Sequence, residues 1–189
     1  MKKRLLSIVP AILMAGCVPS WNPLYTDKDL VTDPALVGTW AQEKETWTFT
    51  KISDQKYKFV ETDKDGHSAE FAAYLLKLKD QRFIDLYLEK LGEEINGWAG
   101  ASLVPTHLFL RVDHIGPTLG IAVMDPDWLE KHLAKNPKAI RHEKTGDKRI
   151  VLTADTPELQ KFITDHAAGE GLFGEPVELQ RKDQKAPAK

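Results

Sequence analysis

What the chain lacks narrows its class before any motif is read. Among 189 residues there is one cysteine, Cys17, so no disulfide can form within a copy and the fold must hold by its core alone. No apolar run approaches the roughly 20 residues that a membrane-spanning helix needs. The longest, over 5–15, is interrupted by Pro10. Positive charge is not in excess, with 26 Lys and Arg against 28 Asp and Glu, which argues against the basic surface that nucleic-acid binding uses. No glycine-rich phosphate loop follows a strand, and neither Ser68 nor Ser102 has a nucleophile-elbow context. No cofactor and no enzymatic reaction are therefore expected.

What is present begins at the amino end. Lys2, Lys3 and Arg4 precede the apolar run, and small Ala15 and Gly16 precede Cys17, which is the order of an export signal. Leu13, Met14, Ala15, Gly16 and Cys17 together resemble the bacterial lipobox. That resemblance implies a diacylglyceryl group on the Cys17 sulfur, cleavage between Gly16 and Cys17, and acylation of the new amine. Val18 stands after the cysteine where an Asp would imply retention at the inner membrane, so the resemblance implies the periplasmic face of the outer membrane in a two-membrane cell. Loss of Lys2, Lys3 and Arg4 lowers 26 basic residues to 23 against 28 acidic ones, a net charge of −5. Such a body gains no attraction to an anionic surface, and attachment rests on acyl chains, each buried methylene contributing about 0.8 kcal/mol.

The expected division is a signal peptide over 1–16, a lipid-anchored tether over 17–35, one β-rich domain over 36–181 and a disordered tail over 182–189. In the tether, Pro19 and Pro23 disfavour regular pairing, while Trp21, Leu24 and Tyr25 need an apolar surface to pack on, the domain ahead of the membrane interface. Short helical turns are expected near 29–31 and 33–36. Residues 46–50 alternate hydroxyl and aromatic side chains, 56–60 alternate cationic and aromatic ones, and Gly66 suits the turn between that strand and the next. Further strands are expected over 69–78, 82–88, 106–115 and 118–124, a mobile loop or short poorly capped helix over 89–103, a hairpin from 139–143 to 149–153, and a closing strand over 175–181. Asp125 before Pro126, and Asp155 or Thr156 before Pro157, cap two helices over 126–136 and 157–166. The fold class is mainly β with α+β character: an antiparallel, strongly curved sheet or barrel, with two late helices packed on it.

Gly38 and Trp40, in Gly38-Thr39-Trp40 at the start of the first strand, are similar to the lipocalin Gly-x-Trp signature, which implies a Trp plugging the closed end of an up-and-down barrel. Asn22-Pro23-Leu24-Tyr25 with that tripeptide also resembles the opening of a group of bacterial lipoproteins, a resemblance that implies no activity.

Candidate chemistry is sparse. His107 and His114 have opposite parity on one strand and face opposite sides unless a bulge intervenes, so no metal site is expected. His107, Arg111 and Asp113 share a face with Asp85 of a neighbouring strand and read as a surface ion-pair ladder. Trp47, Phe49, Tyr57, Phe59, Phe71 and Tyr74 lie on adjacent strands and either line a cavity or fill a core. Two functions stand. One is a non-catalytic, membrane-anchored binding module for a small apolar ligand or lipid, with the loop over 92–100 bordering its mouth. The other is an envelope protein–protein interaction or structural module with a filled core and no ligand.

Overall fold

The computed structural model describes residues 17–92, 103–147, 149–169 and 171–182. The signal expected over 1–16, most of the loop expected over 89–103, and the tail beyond Lys182 lie outside the described residues. Eight antiparallel strands close into a barrel: β1 (Gly38–Gln42), β2 (Glu45–Lys51), β3 (Tyr57–Thr62), β4 (Ser68–Leu78), β5 (Gln81–Leu91), β6 (His107–Ile115), β7 (Thr118–Val123) and β10 (Val177–Arg181). Sequential neighbours pair from β1 to β7, and β10 joins β7 to β1, so no edge is left open. Between β7 and β10 the chain leaves the barrel for α1 (Pro126–Lys135), a small hairpin of β8 (His142–Lys144) and β9 (Ile150–Leu152), and α2 (Thr156–His166). Among the described residues, no helix is long and apolar enough to cross a membrane.

Strand alternation sorts the side chains into two cores. Trp40, Trp47, Phe49, Tyr57, Phe59, Ala73, Leu75, Ile84, Leu86, Leu110, Val112, Leu119, Ile121 and Leu179 form one buried cluster, the barrel interior. The outward residues Leu76, Phe83, Phe109, Ala122 and Met124 form the second with Leu129, Leu133, Leu159, Phe162 and Ile163 of the helices. Much of β5 is thus buried on both faces, unlike a sheet with one solvated side. The helices are held at their starts: Asp125 accepts the N–H groups of Asp127 and Trp128, and Asp155 accepts that of Glu158.

The end at which β1 begins is closed. Trp40 is fully buried, its indole N–H donates to the Leu36 carbonyl at 3.0 Å, and the Arg181 guanidinium lies 4.2 Å from the ring centroid. Arg181 also donates to Val37 and Ala35 carbonyls, tying β10 to the 3-10 turn Pro34–Leu36. Gly38 has φ +141, a conformation that side-chain-bearing residues rarely adopt.

Three expectations need correction. Strand β5 runs on to Leu91 rather than stopping at 88, because Lys90 and Leu91 still pair with Glu70 and Ala69. A bulge between Val112 and His114 resets parity, so His114 lies opposite Gly120 on the outer face, the same side as His107. A Cβ on Gly120 would sit 2.6 Å from the His114 ring, so glycine makes that approach possible. The tether expected over 17–35, finally, is part of the packed body: Val18, Ser20 and Leu24 are buried, and Ser20 pairs with strand residues on both sides.

Candidate functional site

The pairing of Ser20 follows from a gap in the barrel wall. The last β6–β7 pair is Leu110 with Val123, so the first residues of β6 have no β7 neighbour. The strap over 17–25 takes that place. Ser20 N–H donates to the His107 carbonyl at 2.9 Å, and His107 N–H donates to the Ser20 carbonyl at 2.8 Å. On its other edge Trp21 N–H donates to Leu152, and Leu152 N–H donates to the Pro19 carbonyl. Proline lacks only a donor, so Pro19 still accepts and the pairing survives it.

Alternation along the strap then fixes where Cys17 faces. Val18 is buried in the outer core beside Phe109 and Met124, so Cys17, one residue back, is turned to the barrel interior. It lines an apolar cavity at the barrel mouth together with Trp47, Phe59, Phe71, Leu86, Leu108, Leu110 and Val123, while Val18, Phe109 and Met124 form the lip. The enclosed space is about 80 Å³, within a solvent-open depression of about 690 Å³. Small-molecule pockets run to roughly 300–1,000 Å³. Deeper in the barrel the aromatics fill the space: Phe49 stacks on Phe59 at 4.7 Å, and Trp47 meets Phe59 edge-on at 5.2 Å.

The six aromatic candidates therefore divide. Trp47, Phe59 and Phe71 line the mouth. Phe49 and Tyr57 are buried in the interior below it, with the Tyr57 hydroxyl bonded to the Asp33 backbone at the closed end. Tyr74 lies on the outer face, where it stacks on Tyr25 at 4.5 Å. Its parity is opposite to that of Phe71, which excludes both from one wall. Sequence reasoning missed Leu86, Leu108, Leu110 and Val123, whose shared inward parity was the available signal.

The rim carries like charges. Glu45 and Glu61 border the depression, and burial, then the charges of Glu45 and Asp63, push the Glu61 carboxyl above its ordinary value. Burial likewise pushes the Cys17 thiol up, so the folded surroundings disfavour a thiolate. Among the described lining residues there is no histidine and no cation, and the wall offers apolar contact rather than acid–base chemistry.

A second polar group lies beneath the strap. Asp85 is fully buried, with Oδ1 2.6 Å from His107 Nδ1 and Oδ2 accepting the Leu24 N–H at 2.7 Å. Burial raises the Asp85 pKa, opposed by His107 and by that N–H. The expected surface ladder is thus corrected: Asp85 and His107 are buried on the outer face of the barrel, Arg111 donates to the Ala167 carbonyl and sits over Phe173, and Asp113 is exposed beside His114. Burial arises because strap and helices cover this face. The Ser20 hydroxyl is engaged with Asn22, donating to its carbonyl at 2.8 Å, so the Asp85–His107 pair works as a fastening for the strap.

Asp63, Asp65 and His67 converge in an exposed turn, where Asp63 accepts the N–H groups of Asp65 and His67. That bonding accounts for the turn. No protein-family model, no curated protein and no solved structure matches this chain.

Proposed function

We propose that the chain is a membrane-anchored envelope lipoprotein, held through acyl chains on Cys17, whose barrel is a non-catalytic binding module for an apolar chain or lipid. The observation that carries this reading is the position of Cys17 in the wall of the apolar mouth. Attachment replaces the thiol hydrogen. The sulfur bonds to the glyceryl carbon of a phospholipid, the bond from that carbon to the headgroup phosphate oxygen breaks, and the headgroup leaves as a phosphate ester while the thiol proton goes to solvent. Because burial disfavours the thiolate, this step belongs before the strap docks. The module then faces the periplasm from the outer membrane of a two-membrane cell.

Replacing Cys17 by Ser tests the anchor: the variant should leave the membrane fraction and lose the acyl mass increment. Continued membrane retention would refute it. Native mass spectrometry on the Cys17→Ser protein, whose mouth holds no tethered chain, tests the module, with a co-purified adduct carrying an apolar chain expected. The small enclosed space favours a second reading, a filled-core module that docks on another envelope protein. Repeated absence of any adduct would select that one.

A further inference from the structure

We infer that one acyl chain attached at Cys17 lies in the barrel mouth, so that the protein seats part of its own anchor. The inference rests on the lipoprotein reading above and names the occupant of its site. Three observations select that occupant over free lipid.

The first is direction. Val18 faces the outer core and Cys17 the interior, so a chain attached there starts already inside the mouth, against Trp47, Phe59 and Phe71. The second is size. About 80 Å³ of space, several waters' worth at roughly 10–15 Å³ each, takes part of one chain rather than all of a lipid. The open depression around it lets the remainder of the chain leave toward the bilayer. A covalently held chain needs little contact area to stay, since its effective concentration at the site is already high.

The third is charge. Glu45 and Glu61 stand at the rim, so a free fatty acid would bring its carboxylate against two others, and an anionic headgroup would meet the same repulsion. A thioether-linked glyceryl ester or an amide-linked chain carries no charge there. The rim thus disfavours anionic competitors, and the tethered chain outcompetes neutral ones through its high effective concentration.

The test uses full-length protein expressed in cells fed ¹³C-labelled palmitate, purified in deuterated detergent, with acylation checked by intact mass. Isotope-filtered NOE spectra should connect labelled chain methylenes to the ring protons of Trp47, Phe59 and Phe71. Val123→Phe, which fills the mouth and leaves Cys17 in the sequence, should keep the acyl mass and lose those NOEs. Acylated protein whose chain contacts detergent alone overturns this inference and leaves the anchor standing. NOEs from unattached phospholipid in the mouth overturn it equally. A chain with no acyl mass overturns both readings. Should Val123→Phe fail to fold, the wild-type NOEs still decide.

Discussion

Glu61 shows what a single mouth residue costs. It pairs across from Trp47, half-buried, with Glu45 and Asp63 for company, and its carboxyl is raised above an ordinary value of 4.5 chiefly by burial. An acid whose folded pKa exceeds its unfolded one destabilises the fold when ionised. The penalty is full above the folded pKa and is relieved as pH falls through it toward 4.5. Glu61→Gln should therefore be more stable than wild type at neutral pH, by up to about 1 kcal/mol given partial solvent screening. The difference should shrink on acidification. Urea denaturation at a series of pH values measures it, and a gap independent of pH would show that Glu61 is not the titrating group. Lipid is not needed for this effect, so Cys17→Ser is a suitable background.

The strap is the element on which the site depends, and it is fastened by groups far away in the chain. Leu24 N–H reaches Asp85, 61 positions on, and Ser20 pairs with His107. His107→Leu leaves the Asp85 carboxylate buried against apolar neighbours, and removing one member of a buried pair costs about 3–5 kcal/mol. Replacing both Asp85 and His107 by Leu should cost less than the two single changes together, because the uncompensated charge is gone. Hydrogen exchange at Ser20 and Leu24 should quicken in His107→Leu well before the barrel strands exchange. Equal protection of strap and barrel in that variant would mean the pair is not the fastening. Ser20→Pro offers a complementary check. It removes the N–H that meets His107, and the strap amides should again lose protection ahead of β4 and β5.

How legible these elements were in the sequence follows from their physics. The inward aromatics at 47, 49, 57 and 59 announce themselves by period-2 spacing, and the Asp–Pro starts of both helices are local signals. Tyr74 was misassigned although its parity already opposed that of Phe71. The Asp85–His107 pair was legible as a juxtaposition and not as a buried one. Strand spacing says which face a residue takes, while what covers that face is decided by a strap and helices distant in sequence. The bulge at Asp113 had no sequence signal, and it undid a parity argument about His114. The strap hid behind Pro19 and Pro23, whose missing donors obscured the acceptors they keep.

At the scale of the molecule, shape and charge give the barrel a polarity. One end is shut by Trp40, Leu36 and Arg181; the other holds Cys17 and an apolar mouth. Trp21, 60% exposed, and Leu103 and Val104, 51% and 72% exposed, flank the start of β6 at that same end. Set against this apolar end is a chain of formal charge −2, which the proposed cleavage, taking Lys2, Lys3 and Arg4 from 26 basic residues facing 28 acidic ones, would lower to −5. The two features separate anchoring from adhesion. Without acyl chains, Trp21, Leu103 and Val104, the exposed apolar residues at this end among the described residues, are too few to hold the protein on a bilayer, and the acidic body is repelled by anionic lipid. Cys17→Ser protein should thus remain in the supernatant when sedimented with either phosphatidylcholine or phosphatidylglycerol vesicles. Raising the salt should not release any bound fraction, because none is held electrostatically. Sedimentation with phosphatidylglycerol at low salt, reversed at high salt, would instead reveal a cationic face that the net charge conceals. The acylated protein should sediment with both vesicle types at every salt concentration. On phosphatidylcholine its Trp21 emission should shift to shorter wavelength, and a Trp21→Phe variant should lose that shift while staying bound, as the proposed anchor at Cys17 requires.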